Sequence, residues 1–114
     1  MKTEVRQENG VTVVTIGGSV DALTASELAG TLTNQIAEGN ANLVVDLTGL
    51  EFMSSAGLRT LLGAVKETRS NGGDLRIASS NPGIDKVLKM SGFQNIAKVF
   101  TTSGEAAASF DPQK

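Results

Sequence analysis

The side chains that could carry chemistry in this chain are hydroxyls and carboxylates, because its 114 residues include no His, Cys, Trp or Tyr. This composition excludes an imidazole base, a thiolate nucleophile and the usual zinc ligands. The sequence also lacks the P-loop, the Gly-x-Gly-x-x-Gly pattern after a strand, and the Gly-x-Ser-x-Gly and Ser-x-x-Lys patterns of serine hydrolases. We therefore expect a protein that is not an enzyme and has no catalytic residues.

The carboxylates could in principle bind a hard cation, but no pair of them has the spacing of a calcium loop. We interpret most of them as surface charges or helix caps, and expect neither a metal site nor a cofactor. The carboxylates considered are Asp21, Asp46, Glu51, Asp74 and Asp85.

Two of the 21 Ser and Thr hydroxyls, those of Ser54 and Ser55, stand out by their position. Across residues 46–58, an apolar strand ends in an Asp, a short loop carries apolar residues, and both serines then reach the start of a helix. A helix N-terminus has unpaired N–H groups and a positive dipole end, so a phosphate on a serine there suits the helix. The alternative is that both serines are only helix caps.

The elements that must position these serines are predicted from the spacing of apolar residues. Residues 3–16, interrupted by Asn9-Gly10, predict a β-hairpin. A first helix is expected from a capping box at Thr24–Glu27, and a third from Asn81-Pro82. The full order is ββαβαβαβα, with further strands near 43–47, 75–79 and 98–100, and helices near 55–70 and 105–110. The fold class is α/β, with a mixed, largely parallel sheet of about five strands and about four helices.

Composition and charge limit the classes of partner that the chain is expected to bind. Hydrophobic residues make up 39% of the chain, charged residues 19%, and the net charge is −2, which predicts a folded domain without a basic surface for nucleic acid. No apolar run is long enough for a membrane span, and we expect a cytoplasmic protein. We expect one domain over residues 1–114, with a core over 3–110 and a frayed tail at 111–114, as a monomer or weak dimer.

Residues 46–58 resemble the signature of the STAS domain, in particular that of the small bacterial anti-sigma factor antagonists. In that family a strand ending in Asp leads through Phe/Tyr-Met/Ile-Asp-Ser-Ser/Thr-Gly-Leu into a helix. Residues 18–21 are similar to the family's entry into its first helix, and residues 75–93 to its following strand, helix and loop. The resemblance covers roughly residues 3–110 and implies a single STAS-like domain.

The resemblance implies a binding protein with a covalent switch. Such antagonists bind, when unphosphorylated, an anti-sigma factor that is also a histidine-kinase-like ATPase with serine kinase activity, and so release the sigma factor. Phosphorylation by that kinase breaks the complex, and a PP2C-type phosphatase resets it. Carried over by position, Ser55 is the phosphoacceptor, while Asp46 and Asp21 are expected to lie near it at one end of the sheet. Each Asp is expected to contact the partner directly, and the alternative is that it is only a helix or loop cap.

The sequence departs from the family pattern at two positions. Ser54 stands where the family often has Asp, and this makes it a competitor of Ser55 as the acceptor. Ala56 stands where a second Ser or Thr is usual, and Ala is the best helix former for a first turn. Around the acceptor, we expect Phe52 and Met53 to form a small apolar contact patch. The remaining residues expected to bind the partner are Ser54, Ala56 and Gly57.

Two other functions stay open from the sequence. A constitutive STAS subunit of a signalling scaffold or lipid-transport complex would keep the fold without the switch. The missing Asp at position 54 supports this alternative, whereas Ser55, Gly57 and Asp46 favour the switch. A small hydrolase or nucleotide-binding enzyme has no catalytic constellation to support it.

Overall fold

The computed structural model describes residues 1–110, so the predicted tail at 111–114 lies outside the described residues. The strands are β1 (Lys2–Glu8), β2 (Val11–Val20), β3 (Asn42–Asp46), β4 (Leu50–Met53), β5 (Asp74–Ala78) and β6 (Val99–Phe100). The helices are α1 (Thr24–Ala37), α2 (Ser55–Ser70), α3 (Pro82–Met90) and α4 (Ser103–Ala108), with a 3-10 turn at Phe93–Asn95.

These elements form a mixed sheet in the order β1-β2-β3-β5-β6, and β4 pairs with β2. β1 and β2 are antiparallel, whereas all the other pairs are parallel. The predicted fold class is confirmed: an α/β domain that opens with a hairpin and continues with alternating strands and helices. Among the described residues, no helix is long and apolar enough to cross a membrane.

The hairpin turns at Asn9 and Gly10, whose φ angles are +54° and +81°. Positive φ at both central residues is the geometry of a type I′ turn, for which Asn-Gly is a preferred sequence. Glu8 is therefore opposite Val11, and the pairing continues without a break to Lys2 opposite Gly17.

Helices cover the two faces of the sheet unequally. The larger core joins the sheet to α1, α2 and α3 through fully buried side chains such as Leu28, Leu61 and Leu88. On the opposite face, Ala106 and Ala107 of the short helix α4 pack against a smaller apolar cluster of the strands. Core volume therefore lies mainly on the side of the three long helices.

The sequence predicts a loop between β3 and α2, and there the structure has a sixth strand. β4 pairs with the last three residues of β2, which runs past the expected end at Ile16 to Val20. The register shifts between Gly18 and Ser19, and Gly18 has φ of +84°, which a glycine adopts at little cost. Four residues are too few to show the alternation of apolar and polar residues that is typical of a strand, so the sequence does not predict β4.

The starts of α2 and α3 agree with the sequence, whereas α4 begins at Ser103, two residues before its predicted start. Ser54 and Asn81 cap α2 and α3, as expected, and Pro82 occupies the first turn of α3. The predicted capping box with Thr24 at the N-cap is wrong, because Thr24 is already helical and the cap interactions come from Asp21.

Candidate functional site

Ser54 ties the start of α2 to the end of β2. Its backbone N–H donates to the carbonyl of Val20 at 2.8 Å, and its hydroxyl accepts the N–H of Gly57 at 3.2 Å. The second contact is an N-cap bond, which satisfies one of the four free N–H groups of a helix start. The hydroxyl of Ser54 therefore already has a structural partner.

Ser55 is the first residue of α2, and its side chain is exposed. Within the part of the chain that the structure describes, its hydroxyl makes no hydrogen bond to another protein group. The two neighbouring serines thus differ: one hydroxyl caps the helix, and the other faces solvent beside the positive end of the helix dipole.

Asp21 follows Val20 directly and lies beside the same junction. Its Oδ1 accepts the backbone N–H of Thr24 at 2.9 Å, the hydroxyl of Thr24 at 3.1 Å and the N–H of Leu23 at 3.0 Å. The backbone and side-chain hydrogen bonds from Thr24 hold the pKa of Asp21 below its usual value. Asp21 therefore carries its charge at neutral pH, and the cap interpretation describes its contacts within the chain.

Asp46 does not lie with this group. It pairs with Thr15, five positions before Val20 on β2, which corresponds to about 16 Å along the strand. Asp46 is 7% exposed, and its Oδ1 accepts the N–H and hydroxyl of Thr48 at 3.0 and 2.7 Å. By this register, Asp21 lies beside the serines and Asp46 lies further along the sheet, because β4 intervenes between β3 and α2.

The two residues of the predicted apolar patch differ in exposure. Phe52 is 52% exposed, whereas Met53 is only 4% exposed and belongs to the core. Gly57 is buried as well. The space around it is too small for a side chain, because a Cβ there would lie 2.8 Å from Cγ1 of Val20 and 3.1 Å from Cγ of Met53. Met53 and Gly57 are therefore packing positions at which β2, β4 and α2 meet, rather than surface for a partner.

Leu23, which is not among the predicted site residues, is 84% exposed just before α1. It precedes Leu28 by five residues and so falls outside the four-residue spacing of Leu28, Leu32 and Ile36. That mismatch was a signal for an exposed apolar side chain.

A shallow groove of about 330 Å³ runs between α1 and α2 next to Ser55. Its walls are mainly small side chains, with Arg59 and Thr60 on the α2 side, and Ala56, which is half-buried, at its end. Arg59 is exposed and lies four residues after Ser55, so the two side chains occupy the same face of the helix. Among the described residues, no cluster of acidic side chains could hold a metal ion.

With the fold and the serine pair described, the chain can be compared with known proteins. The family model of the STAS domain matches residues 2–106, and the chain belongs to this family. Within it, the chain is 33% identical over 110 residues to the candidate anti-sigma factor antagonist BtrV of Bordetella bronchiseptica, covering 96% of this chain and 95% of the relative.

Solved structures agree with this assignment. The crystal structure of an anti-sigma factor antagonist from Mycobacterium paratuberculosis superposes with a TM-score of 0.88 at 25% identity, covering 95% of this chain and 92% of that chain. The phosphorylated form of the Bacillus cell fate determinant SpoIIAA has the same fold, with a TM-score of 0.72 at 20% identity over 95% of this chain and 98% of that chain. The chain is thus a member of the anti-sigma factor antagonist family.

Proposed function

We propose that this chain binds an anti-sigma factor with serine kinase activity and is released from it by phosphorylation of Ser55. Binding of the unphosphorylated chain frees a sigma factor for transcription, and a PP2C-type phosphatase restores the binding form. The chain acts as a binding protein and kinase substrate, not as an enzyme, in the cytoplasm where its partners work. The observation that carries the proposal is the free, exposed hydroxyl of Ser55 at the first turn of α2.

Ser55 is the better acceptor of the two serines. A kinase must place the γ-phosphate in line with a hydroxyl oxygen, and the hydroxyl of Ser55 is exposed. Phosphorylation of Ser54 would remove its N-cap bond to Gly57 and place a dianion against the end of β2.

The position of Ser55 explains how a phosphate could block docking without unfolding the chain. The phosphate adds about −1.5 to −2 charge, next to the helix N-terminus and one turn before Arg59, which both favour an anion. A partner that covers Leu23 and Phe52 would enclose this dianion at its interface. Burial of an uncompensated charge costs several kcal/mol, and ~3 kcal/mol weakens binding more than a hundredfold.

The test combines phosphorylation with binding. The chain and its Ser54→Ala and Ser55→Ala variants are incubated with ATP and the histidine-kinase-like anti-sigma factor of the same organism, and the phosphate is mapped by mass spectrometry. We expect one phosphate on wild type and on Ser54→Ala, and none on Ser55→Ala. Calorimetry should show that the phosphorylated chain and Ser55→Asp bind the kinase at least a hundredfold more weakly than wild type, with an unchanged thermal unfolding midpoint.

Two results would contradict the proposal. Phosphate on Ser54 with Ser55 unmodified would move the switch to the cap residue. Tight binding of Ser55→Asp, together with no phosphate on either serine, would favour the constitutive structural subunit.

A further inference from the structure

The outer edge of β1 is open. β1 pairs only with β2 among the described residues, and all of its side chains are exposed or half-buried. An edge strand has a row of unpaired backbone N–H and C=O groups, which can pair with another strand. Val5, at the middle of β1, is also an exposed apolar side chain.

The hairpin turn determines which backbone groups face this edge. In a hairpin with a two-residue turn, the residues flanking the turn form a hydrogen-bonded pair, here Glu8 and Val11. Every second residue back along β1 therefore bonds to β2. The backbone groups of the residues between them, Thr3, Val5 and Gln7, point to the free edge.

The charges along β1 are complementary to those of the same strand running in the opposite direction. In an antiparallel pair of two β1 strands centred on Val5, Glu4 lies opposite Arg6 of the second copy, and Lys2 opposite Glu8. Each of these four residues meets an opposite charge, and Val5 meets Val5. Directly opposed unlike charges stabilise a strand pair, and directly opposed like charges destabilise it.

We propose that two copies of this chain associate through antiparallel pairing of their β1 strands, centred on Val5, to form one continuous sheet. The hydrogen-bonded pairs are Val5 with Val5, and Thr3 with Gln7 in both directions, giving about six backbone hydrogen bonds across the two-fold axis. The charged pairs lie between these hydrogen-bonded pairs, at positions where the Cα atoms of opposite residues are closer together. The symmetric register uses the same surface on both copies, as a two-fold dimer requires.

This contact is small and lies away from Ser55. One strand pair buries much less than the 1,200–2,000 Å² of a stable interface, so we expect a dissociation constant of the order of 0.1–1 mM. β3 pairs with β2 at the edge opposite β1, and β4 and α2 follow from β3. The dimer therefore leaves Ser55 accessible and does not depend on the proposed function.

Charge exchange between positions 4 and 6 tests the register. In a Glu4→Arg dimer, Arg at position 4 faces Arg6 at both ends of the pair, and in an Arg6→Glu dimer two carboxylates meet instead. An equimolar mixture of the two variants restores both unlike pairs in a heterodimer, as the Glu4→Arg/Arg6→Glu double variant does in a homodimer. Sedimentation equilibrium from about 10 μM to 1 mM covers the expected range of association.

We expect wild type to dimerise measurably and each single variant to associate at least about tenfold more weakly. The mixture and the double variant should recover association to within about threefold of wild type. Arg6 also donates to Glu8, Thr15 and Ser103 within the chain, so circular dichroism and thermal unfolding must show that the variants are folded. If Arg6→Glu does not fold, Glu4→Arg is compared with Val5→Pro, which removes a backbone N–H that faces the free edge and leaves Arg6 in place.

Three outcomes would overturn the proposal. The first is a wild-type chain that is monomeric at about 1 mM. The second is a dimer of unchanged affinity in Glu4→Arg, and the third is a folded double variant or mixture that fails to recover association. Phosphorylation of Ser55 by the cognate kinase should be the same in all these variants, so that failure here is distinct from failure of the proposed switch.

Discussion

The hydroxyl of Ser54 accepts the backbone N–H of Gly57 at 3.2 Å, and this bond separates the roles of two adjacent serines. Ser54 caps α2, whereas the hydroxyl of Ser55 remains available to solvent. Two identical neighbours in the sequence are thus one structural residue and one candidate for modification. The two roles can be distinguished by stability measurements alone.

Removing each serine hydroxyl should affect stability differently. We expect Ser54→Ala to lower the free energy of unfolding by about 1 kcal/mol, because it leaves an N–H of the first turn without its cap. Ser55→Ala should change it by less than about 0.5 kcal/mol, as exposed substitutions usually do. Urea unfolding followed by circular dichroism measures both, and equal losses in the two variants would contradict the assignment of the cap.

Gly57 should not tolerate a side chain. A Cβ at this position would lie 2.8 Å from Cγ1 of Val20, a stiff, fully buried side chain. We expect Gly57→Ala to lower the free energy of unfolding by about 1–3 kcal/mol, even though Ala is the better helix former.

Gly63 provides the matched control in the same helix. It is exposed, and a Cβ there has no neighbour within 4 Å. Gly63→Ala should therefore raise the free energy of unfolding by about 0.5–1 kcal/mol. A destabilised Gly63→Ala variant, or a stabilised Gly57→Ala variant, would refute the packing explanation.

Asp74 should make stability depend on pH in the acid range. Arg69 Nε and Arg76 Nε donate to its two carboxylate oxygens at 3.0 and 3.1 Å. Burial favours the neutral acid, but the hydrogen bonds from Arg69 and Arg76 outweigh it, so the pKa of Asp74 lies below its usual value. A lowered pKa in the folded state stabilises the fold above the unfolded value of about 3.9, and this contribution is lost as pH falls through the folded pKa.

We therefore expect Asp74→Asn to be about 1–2 kcal/mol less stable than wild type at pH 7. The difference should shrink as the pH is lowered below about 4, because the unfolded chain then gains a proton that Asp74 of the folded chain takes up only at lower pH. Urea unfolding at several pH values measures the difference, and a constant gap over this range would contradict the role of Asp74.

Leu23 and Phe52 should contribute to partner binding without contributing to stability. Both apolar side chains are largely exposed, so their removal costs little core packing, and they flank the junction at which Ser54 bonds to Val20. We expect Leu23→Ala and Phe52→Ala each to weaken binding to the anti-sigma factor at least about fivefold, with less than about 0.5 kcal/mol of change in unfolding.

Met90 is a control for this pair, because it is 77% exposed but lies at the far end of α3. Met90→Ala should leave calorimetric binding unchanged. If all three variants bound as tightly as wild type, the docking surface would lie elsewhere.

The fold could be predicted from the sequence because its signals are local. Asn9-Gly10 specifies the hairpin turn, Asn81-Pro82 specifies the start of α3, and the four-residue spacing of Leu28, Leu32 and Ile36 specifies the buried side of α1. The order of strands and helices then allows only a few sheet topologies, because parallel strands are connected by right-handed crossovers.

The details of the site depended on contacts distant in sequence. Whether Met53 is buried and how far Asp46 lies from Ser55 both follow from the pairing of β4 with the end of β2. A four-residue strand and a register shift at Gly18 have no periodic pattern, so the sequence could place the serines at a helix start without placing the acids around them.

The short helix α4 has a consequence for how the chain is made. It supplies Ala106 and Ala107 to the apolar face formed by Val11, Val13 and Val44. During synthesis on the ribosome, Val11 and Val13 emerge about ninety positions, and Val44 about sixty positions, ahead of the helix that covers them. One face of the sheet is therefore open to water until residues 103–108 have left the exit tunnel, and this interval is when the nascent chain most needs protection from aggregation.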